Sequence, residues 1–385
     1  MDQLNTDGNR HTMKEIFQQP KLWRETVNMI EQQKEEIQAF LHDPLIRKKA
    51  RVLFTGAGTS AYVGDTVTPC VSRKIPNRTE SIPTTDIVAN PMDYLHEHIP
   101  TILVSFARSG NSPESVGAYD LAEQIVKDIY QIVITCNREG SLAKKASSNS
   151  NSLVIYMPEE SNDLGFAMTS SFSCMYLAAL LLFDLDDLEA AKKKAAQIAN
   201  HAQRILNEQL KEVQELVSLN KKRVVYLGSS TLKGLAKETC LKNLELTSGI
   251  IPTFWESILG FRHGPKSLID DETLIFVFLS NDPYTRRYDL DLLRELHSDG
   301  GNKTIVAITY GDEPELYEWC GKVLVVSETE HSGLEDHFIA LDYLLYGQLF
   351  AMFNSLSLGI DPDNPSPSGT VNRVVKGVHI HPFAN

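Results

Sequence analysis

Basic residues fall short of acidic ones in this chain: 37 Lys and Arg stand against 50 Asp and Glu, a formal net charge of −13. No Lys/Arg stripe offsets that balance, which argues against nucleic acid or an anionic membrane as partner and requires any anionic ligand to be caught locally. Cysteine is sparse too. The five, Cys70, Cys136, Cys174, Cys240 and Cys320, are odd in number, scattered and without CxxC spacing. They offer neither a disulfide framework nor a zinc cluster, and suit reduced thiols in a cytoplasmic protein. A secretory leader is missing from Met1 to Arg10, where a basic-then-apolar pattern would stand. No run reads as a membrane span, since the most apolar stretch, Met168 to Phe183, carries Thr169, Ser170 and Ser171 near its start and reads as a buried helix. What is present is ordinary globular composition. With 42% hydrophobic residues over 385 positions the chain can bury two separate cores.

The stretch from Leu103 to Ser115, LVSFARSGNSPES, organises the rest. Ile102 to Phe106 has the aliphatic, β-branched character of a buried parallel strand, and Ser112 before Pro113 reads as an N-cap followed by the first helical position. Gly110 sits at the bend. Such a strand-to-helix turn offers backbone N–H groups, the positive end of a helix dipole and several hydroxyls, which suits a phosphate. Ser109 and Ser112 are candidate donors, and the Arg108 guanidinium could add a charge-assisted bond. An ordinary serine-capped turn is the competing reading.

Met13 to His42 reads as a helix broken near Pro20, with Leu22, Thr26, Met29, Ile30, Ile37 and Leu41 on one face. Arg51 to Ala61, RVLFTGAGTSA, is then a strand, a glycine turn and the start of a helix capped by Thr59 and Ser60. Only two glycines follow the strand and no acidic partner is evident, so a dinucleotide site is weakly supported. A small-residue turn facing the Ser109 loop fits better. Strands at Thr101–Phe106, Tyr130–Thr135 and Ser152–Met157 alternate with helices at Pro113–Lys127 and Ser141–Ser147, a parallel α/β unit.

The series then repeats. Gly56 maps to Gly228 and Thr59 to Thr231 at an offset of 172 (228−56 and 231−59), as do Ile102 and Leu274. Ile132–Thr135 pairs with Val306–Thr309, and Leu153–Met157 with Val323–Ser327. A duplicated α/β domain follows. Between the copies, Asp187 to Leu219 reads as one long connecting helix. The copies differ chemically, because Leu279-Ser-Asn-Asp-Pro283 lacks the glycine and sets Asp282 where a phosphate would approach.

The second copy holds other candidates. Lys242 and Glu245 lie three apart on a helix expected over Thr239–Thr247, either as a solvated ion pair or near a site. His263, before Gly264-Pro265, is presented on a loop and suits proton transfer, although a structural histidine would also fit. Lys376 stands among apolar neighbours near the end. His379 and His381 lack third and fourth ligands, so no metal site is expected.

Taken together, the duplicated unit, Ser109-Gly-Asn-Ser112, Glu245, His263-Gly-Pro265 and Asn372-Arg-Val-Val-Lys376 resemble the sugar isomerase (SIS) family from about Arg47 onward. The bacterial galactosamine-6-phosphate deaminase/isomerase branch, also called tagatose-6-phosphate ketose/aldose isomerase, is the most similar. The resemblance implies two tandem SIS-type, doubly wound, flavodoxin-like parallel-sheet domains behind N-terminal helices. The expected boundaries are 1–46, 47–186, a connecting helix at 187–218, 219–356 and an active-site tail at 357–385. It further implies that Ser60, Arg108, Ser109, Gly110 and Ser112 hold a phosphate, with Gly58, Thr59, Met168 and Thr169 beside the sugar. Glu245 would shuttle a proton between C1 and C2, His263 would assist ring opening, and Lys242 and Lys376 would line the sugar head. No cofactor is implied, and the partner is a small sugar phosphate. Family members share active sites across a homodimer, with the histidine supplied by the neighbouring subunit. Ala107 and Arg108 depart from the serine and glutamine of glucosamine-6-phosphate synthase, and nothing before Arg47 reads as a glutamine-hydrolysing domain. Deamination of an amino-hexose 6-phosphate is therefore expected, with plain isomerisation and a non-catalytic sugar-phosphate sensor as alternatives.

Overall fold

The computed structural model describes residues 10–327, 333–375 and 377–384. Contacts divide the chain into two compact units: Lys21–Leu164, Met168–Lys193 and Ser368–Asn385 form one, and Met1–Pro20, Gly165–Ala167 and Lys194–Pro367 the other. The N-terminal stretch is three helices, α1 (Arg10–Phe17), α2 (Gln19–Gln32) and α3 (Lys34–His42). One break falls at Gln18, near Pro20 as expected, and a second at Gln33; Pro20 itself occupies the first turn of α2. A missing N–H is harmless there, because first-turn amides have no intrahelical partner. Leu22, Thr26, Ile30, Ile37 and Leu41 are buried as their spacing requires, whereas Met29 is half-buried.

β1 (Arg51–Thr55), α4 (Thr59–Lys74), β2 (Thr79–Ser81), α5 (Thr84–Ala89), α6 (Pro91–Tyr94) and β3 (Thr101–Ala107) come next. After them run α7 (Pro113–Ile125), β4 (Ile129–Thr135), α8 (Ser141–Ser147), β5 (Ser152–Tyr156) and α9 (Ser170–Leu182). The strands are all parallel in the order β2-β1-β3-β4-β5, the flavodoxin-like arrangement. Every residue of β1 and β3 is buried, as expected for central strands covered by helices on both faces. α9 is buried along its whole length, in keeping with its apolar sequence. β2, α5 and α6 were not expected; a three-residue polar edge strand leaves no periodic signal.

The expected single connecting helix is two, α10 (Leu188–Glu208), whose residues fall in both units, and α11 (Leu210–Ser218) of the other unit, broken at Gln209. β6 (Arg223–Leu227), α12 (Thr231–Leu246), β7 (Thr253–Glu256), α13 (Ile258–Phe261) and β8 (Thr273–Phe278) follow. α14 (Pro283–Ser298), β9 (Thr304–Thr309), α15 (Leu316–Trp319), β10 (Lys322–Val325) and α16 (Asp336–Ser357) complete it. The sheet order β7-β6-β8-β9-β10 repeats the first. The duplication extends to strand register: Val52 pairs with Ile102 and Val224 with Leu274, both shifted by 172 (224−52 and 274−102). Only the last strand departs from expectation. Leu153 lies opposite Ile132 and Lys322 opposite Val306, so Leu153 maps to Lys322, one residue before the expected Val323.

Backbone angles repeat as well. α12 begins at Thr231, eight residues before the expected Thr239, and its N-cap Ser230 has φ 54° where the first copy has Gly58 at φ 56°. A left-handed serine is uncommon, and its retention shows how strictly the strand-to-helix turn dictates backbone shape. A Cβ on Gly56 would lie 2.5 Å from the Ser60 backbone, and one on Gly228 would lie 2.4 Å from Leu232 O, so both turns require glycine.

α16 lies along α12, with Asn354 Nδ2 donating to Asn243 Oδ1 at 2.9 Å and Gly347 admitting the Thr239 side chain. Asp342 of α16 is fully buried, 3.4 Å from His201 Nδ1 of α10, without an aligned hydrogen bond. Burial pushes its carboxyl up to about 7, against the pull of His201. That value is well above the ordinary Asp value of about 4, so the folded chain holds this proton more tightly than the unfolded one. Stability from the protonated form is therefore lost as pH rises from about 4 through about 7. Asp342→Asn should raise the melting temperature more at pH 8 than at pH 5; an equal change at both would show that Asp342 does not titrate in this range.

Candidate active site

β1 and β3 are neighbours, and beyond their carboxyl ends the chain turns into α4 and α7 on opposite sides of the strand-order switch. Ligands of doubly wound sheets bind at such a point. In the turn after β1, Gly58 is the N-cap, so Thr59 and Ser60 form the first turn of α4 and do not cap it as expected. Both are nearly buried, and Ser60 Oγ lies 3.8 Å from Met168 Sδ, which brings two candidate residues together.

The turn after β3 has the expected form. Gly110 adopts φ 65°, and Ser112 caps α7, accepting from Ser115 N at 3.3 Å and sharing a 2.6 Å hydrogen bond with its hydroxyl. A second turn braces this loop: Asn137 Nδ2 donates to Ser109 O at 2.8 Å, and Asn111 Oδ1 accepts from Ser141 N at 2.9 Å. Gly140 permits that approach, because a Cβ there would stand 2.6 Å from Ser109 O. Ser109 and Ser112 are half-buried, leaving hydroxyls and a helix N-terminus at the surface of a rigid loop. The sequence reading missed Glu114, which is buried in the first turn of α7 with Oε2 unpartnered. Arg108 is buried as well, and its Nη2 donates to Arg373 O at 2.7 Å.

Thr169 is held by a residue with no local signature. The buried Asp163 carboxylate accepts from the backbone N–H groups of Thr169, Ser170 and Ser171 at 2.8–3.2 Å and from the hydroxyls of all three, anchoring the start of α9. Met168 beside it is half-buried.

The second copy closes its equivalent loop with its own carboxylates. Ser280 N donates to Asp289 at 2.8 Å, Asn281 N to Asp336 at 2.7 Å, and Asp282 accepts from Tyr284 N and Thr285 N as cap of α14. Burial pushes the Asp289 carboxyl up to about 6, against the Ser280 amide and Ser229. An anion meets occupied amides and negative charge at this turn.

On α12, Lys242 is 1% exposed, with Glu245 Oε2 2.6 Å and Glu238 Oε1 3.5 Å from Nζ. This corrects the solvated-pair alternative: Lys242 is buried between these carboxylates, and removing one partner of such a pair is costly. Glu245 remains a quarter exposed. Glu256, at the end of β7, is already occupied. Burial raises its pKa, but Ser257 N–H and Lys233 outweigh that and hold the carboxyl below its ordinary range. His263 is exposed after α13, ahead of Gly264 at φ 120°. Lys376 lies outside the described residues.

The SIS domain family model matches residues 45–185, the first repeat. Over 385 residues, the chain is 44% identical to D-galactosamine-6-phosphate deaminase AgaS of Shewanella sp. (strain ANA-3), covering 99% of this chain and 94% of the relative. The chain belongs to the SIS domain family, in its AgaS branch. The AgaS protein of Escherichia coli O157:H7 is likewise 44% identical, over 97% of this chain and 96% of its own. Among solved structures, tagatose-6-phosphate ketose/aldose isomerase from Escherichia coli superposes with a TM-score of 0.90 at 39% identity, covering 100% of this chain and 99% of that one. The two five-stranded parallel sheets are thus the tandem SIS domains of the family.

Ser109→Ala should weaken hexosamine 6-phosphate binding roughly ten- to a hundred-fold, the loss of one charge-assisted hydrogen bond. Ser280→Ala, at the equivalent turn, should lower thermal stability, since its buried hydroxyl bonds Asp336 at 2.6 Å, but leave affinity unchanged. Calorimetric titration of both variants separates the turns; equal affinities would remove the phosphate assignment.

Proposed function

We propose that this chain converts an amino-hexose 6-phosphate, D-galactosamine 6-phosphate, to tagatose 6-phosphate and ammonia. Near-full-length likeness, at 44% identity, to proteins named D-galactosamine-6-phosphate deaminase carries the reading. In the opened sugar, C1 is an aldehyde and C2 bears the amine. Moving the C2 proton to C1, through an enolamine whose oxygen takes up a proton while its nitrogen gives one up, leaves an imine at C2. Water then converts the imine to the ketone and releases ammonia. The proton transfer is the same step that interconverts aldose and ketose. Plain isomerisation of tagatose 6-phosphate is accordingly the second reading, favoured by the solved neighbour of that name.

The roles follow chemical character. Ser60, Ser109, Gly110 and Ser112 hold the phosphate, and Gly58, Thr59, Met168 and Thr169 border the sugar. Glu245 shuttles the proton, and the buried Lys242 ammonium, 2.6 Å from it, steadies charge developing on the C1 oxygen. His263, exposed on its loop, assists ring opening, and Lys376 lines the sugar head. The enzyme works in the cytoplasm as a homodimer whose second copy supplies His263. Exposed Leu244, Ile250 and Leu259, on and after α12, support an apolar contact of that kind.

Glu245→Gln keeps the size of the side chain and removes the base, so turnover should fall by roughly 10²–10⁴ with KM largely kept. Ammonia and ketose are assayed separately. Tagatose 6-phosphate formed by the parent enzyme from the aldose 6-phosphate but not from the amino-hexose 6-phosphate would favour plain isomerisation, and near-parental turnover in the variant would move the base elsewhere. Mixing weakly binding Ser109→Ala subunits with His263→Ala subunits, assayed at low substrate where each alone is nearly silent, should restore part of the activity, since one of the two mixed sites is intact. No recovery after confirmed subunit exchange would rule out shared sites.

A further inference from the structure

Arg108 is the only charged residue of the Ser109 loop, and its placement differs from that of a phosphate ligand reaching outward. It is 6% exposed, and its guanidinium donates to the carbonyl of Arg373 at 2.7 Å, 265 residues later in the chain. Arg373 in turn donates through Nη2 to the carbonyl of Asp163, whose carboxylate anchors the start of α9. Two arginines thus link three segments of one α/β unit: the Ser109 loop, the C-terminal tail and the turn before α9. Beyond Lys376 the tail is tied to the same unit again. Gln124 Nε2 donates to Phe383 O at 2.9 Å, Phe383 packs against the cluster containing Ile87, Leu95 and Ala118, and Ile380 closes on Gly117.

We propose that Arg108 is a positioning residue that latches the tail to the phosphate loop through the Arg373 carbonyl, with the Arg373–Asp163 bond as its second half. Burying a guanidinium is unfavourable unless it is hydrogen-bonded, so Arg108 favours the one tail conformation that brings this carbonyl to it. Arg373, three residues before Lys376, is thereby fixed to the loop. A phosphate on Ser109 and Ser112 would rest on a loop already stiffened by the tail, and a tail held by that loop would keep its register without the sugar. The proposal rests on the sugar-phosphate reading only in taking the Ser109 loop as the phosphate site.

The test uses the full chain with Arg108→Gln, Arg108→Lys and Arg373→Ala. Amide hydrogen exchange over 371–384, affinity for inorganic phosphate, and kcat and KM for galactosamine 6-phosphate are measured. With the latch, Arg108→Gln and Arg373→Ala both speed exchange in the tail by roughly tenfold or more while the sheets stay protected. Both lower kcat about tenfold, with phosphate affinity held within about threefold, and Arg108→Lys recovers part of each loss because an ammonium can still donate to the carbonyl. Unchanged tail exchange, or a phosphate affinity falling tenfold in Arg108→Gln while Arg373→Ala is silent, overturns the latch and makes Arg108 a direct ligand. Should Arg108→Gln fail to fold, Arg373→Ala, at an exposed position, decides on the same readouts. A parent enzyme inactive on amino-sugar phosphates would sink the proposed function and leave the exchange result to judge the latch.

Discussion

First-turn amides of a helix have no partner inside the helix, and how this chain satisfies them shapes both repeats. Aspartate does it in several places. Asp363 accepts from His11 N and Thr12 N at the start of α1, Asp163 serves α9, and Asp282 caps α14. Each carboxylate meets the positive end of a helix dipole and offers several acceptor positions in one group. At α7 the cap is neutral instead. Ser112 supplies it, the loop before it bends through Gly110, and no aspartate enters. A hydroxyl cap leaves the amides beside it open to a dianion, whereas a cap that is itself a carboxylate repels one.

The duplicated unit is therefore one geometry with two electrostatic settings. Strand register, turn glycines and even a left-handed N-cap coincide between copies at an offset of 172 (230−58). Backbone shape persists because a parallel strand must end and a helix begin within a few residues. Side-chain chemistry is free to diverge, since nothing in the turn's geometry distinguishes a serine hydroxyl from an aspartate carboxylate. The second copy carries Lys242, buried between Glu238 and Glu245, a costly arrangement of charge.

Much of this was legible in the residues. Gly56, Gly58, Gly110 and Ser112-Pro113 announce their turns, because the backbone there tolerates few alternatives. Asp163 illustrates what was not. It lies in a stretch without periodicity, and the six hydrogen bonds to its carboxylate come from residues six to eight positions later, folded back upon it. Lys242 and Glu245 were visible as a spacing, but whether that spacing faces water or the interior depends on α16 lying along α12, a contact more than 90 residues distant in the chain.

The sequence by itself determined the repeated α/β order, the strand-to-helix turns, the hydroxyl-rich loop at Ser109 and its acidic counterpart at Asp282, all of which are set by local backbone and charge. Only the tertiary structure decided that Arg108 turns to the carbonyl of Arg373, that Asp289 and Asp336 fill the second loop, and that Asp342 is buried beside His201. The physical reason is common to all three: desolvation and hydrogen bonding belong to the partners a side chain finds across the fold, and no local pattern encodes them.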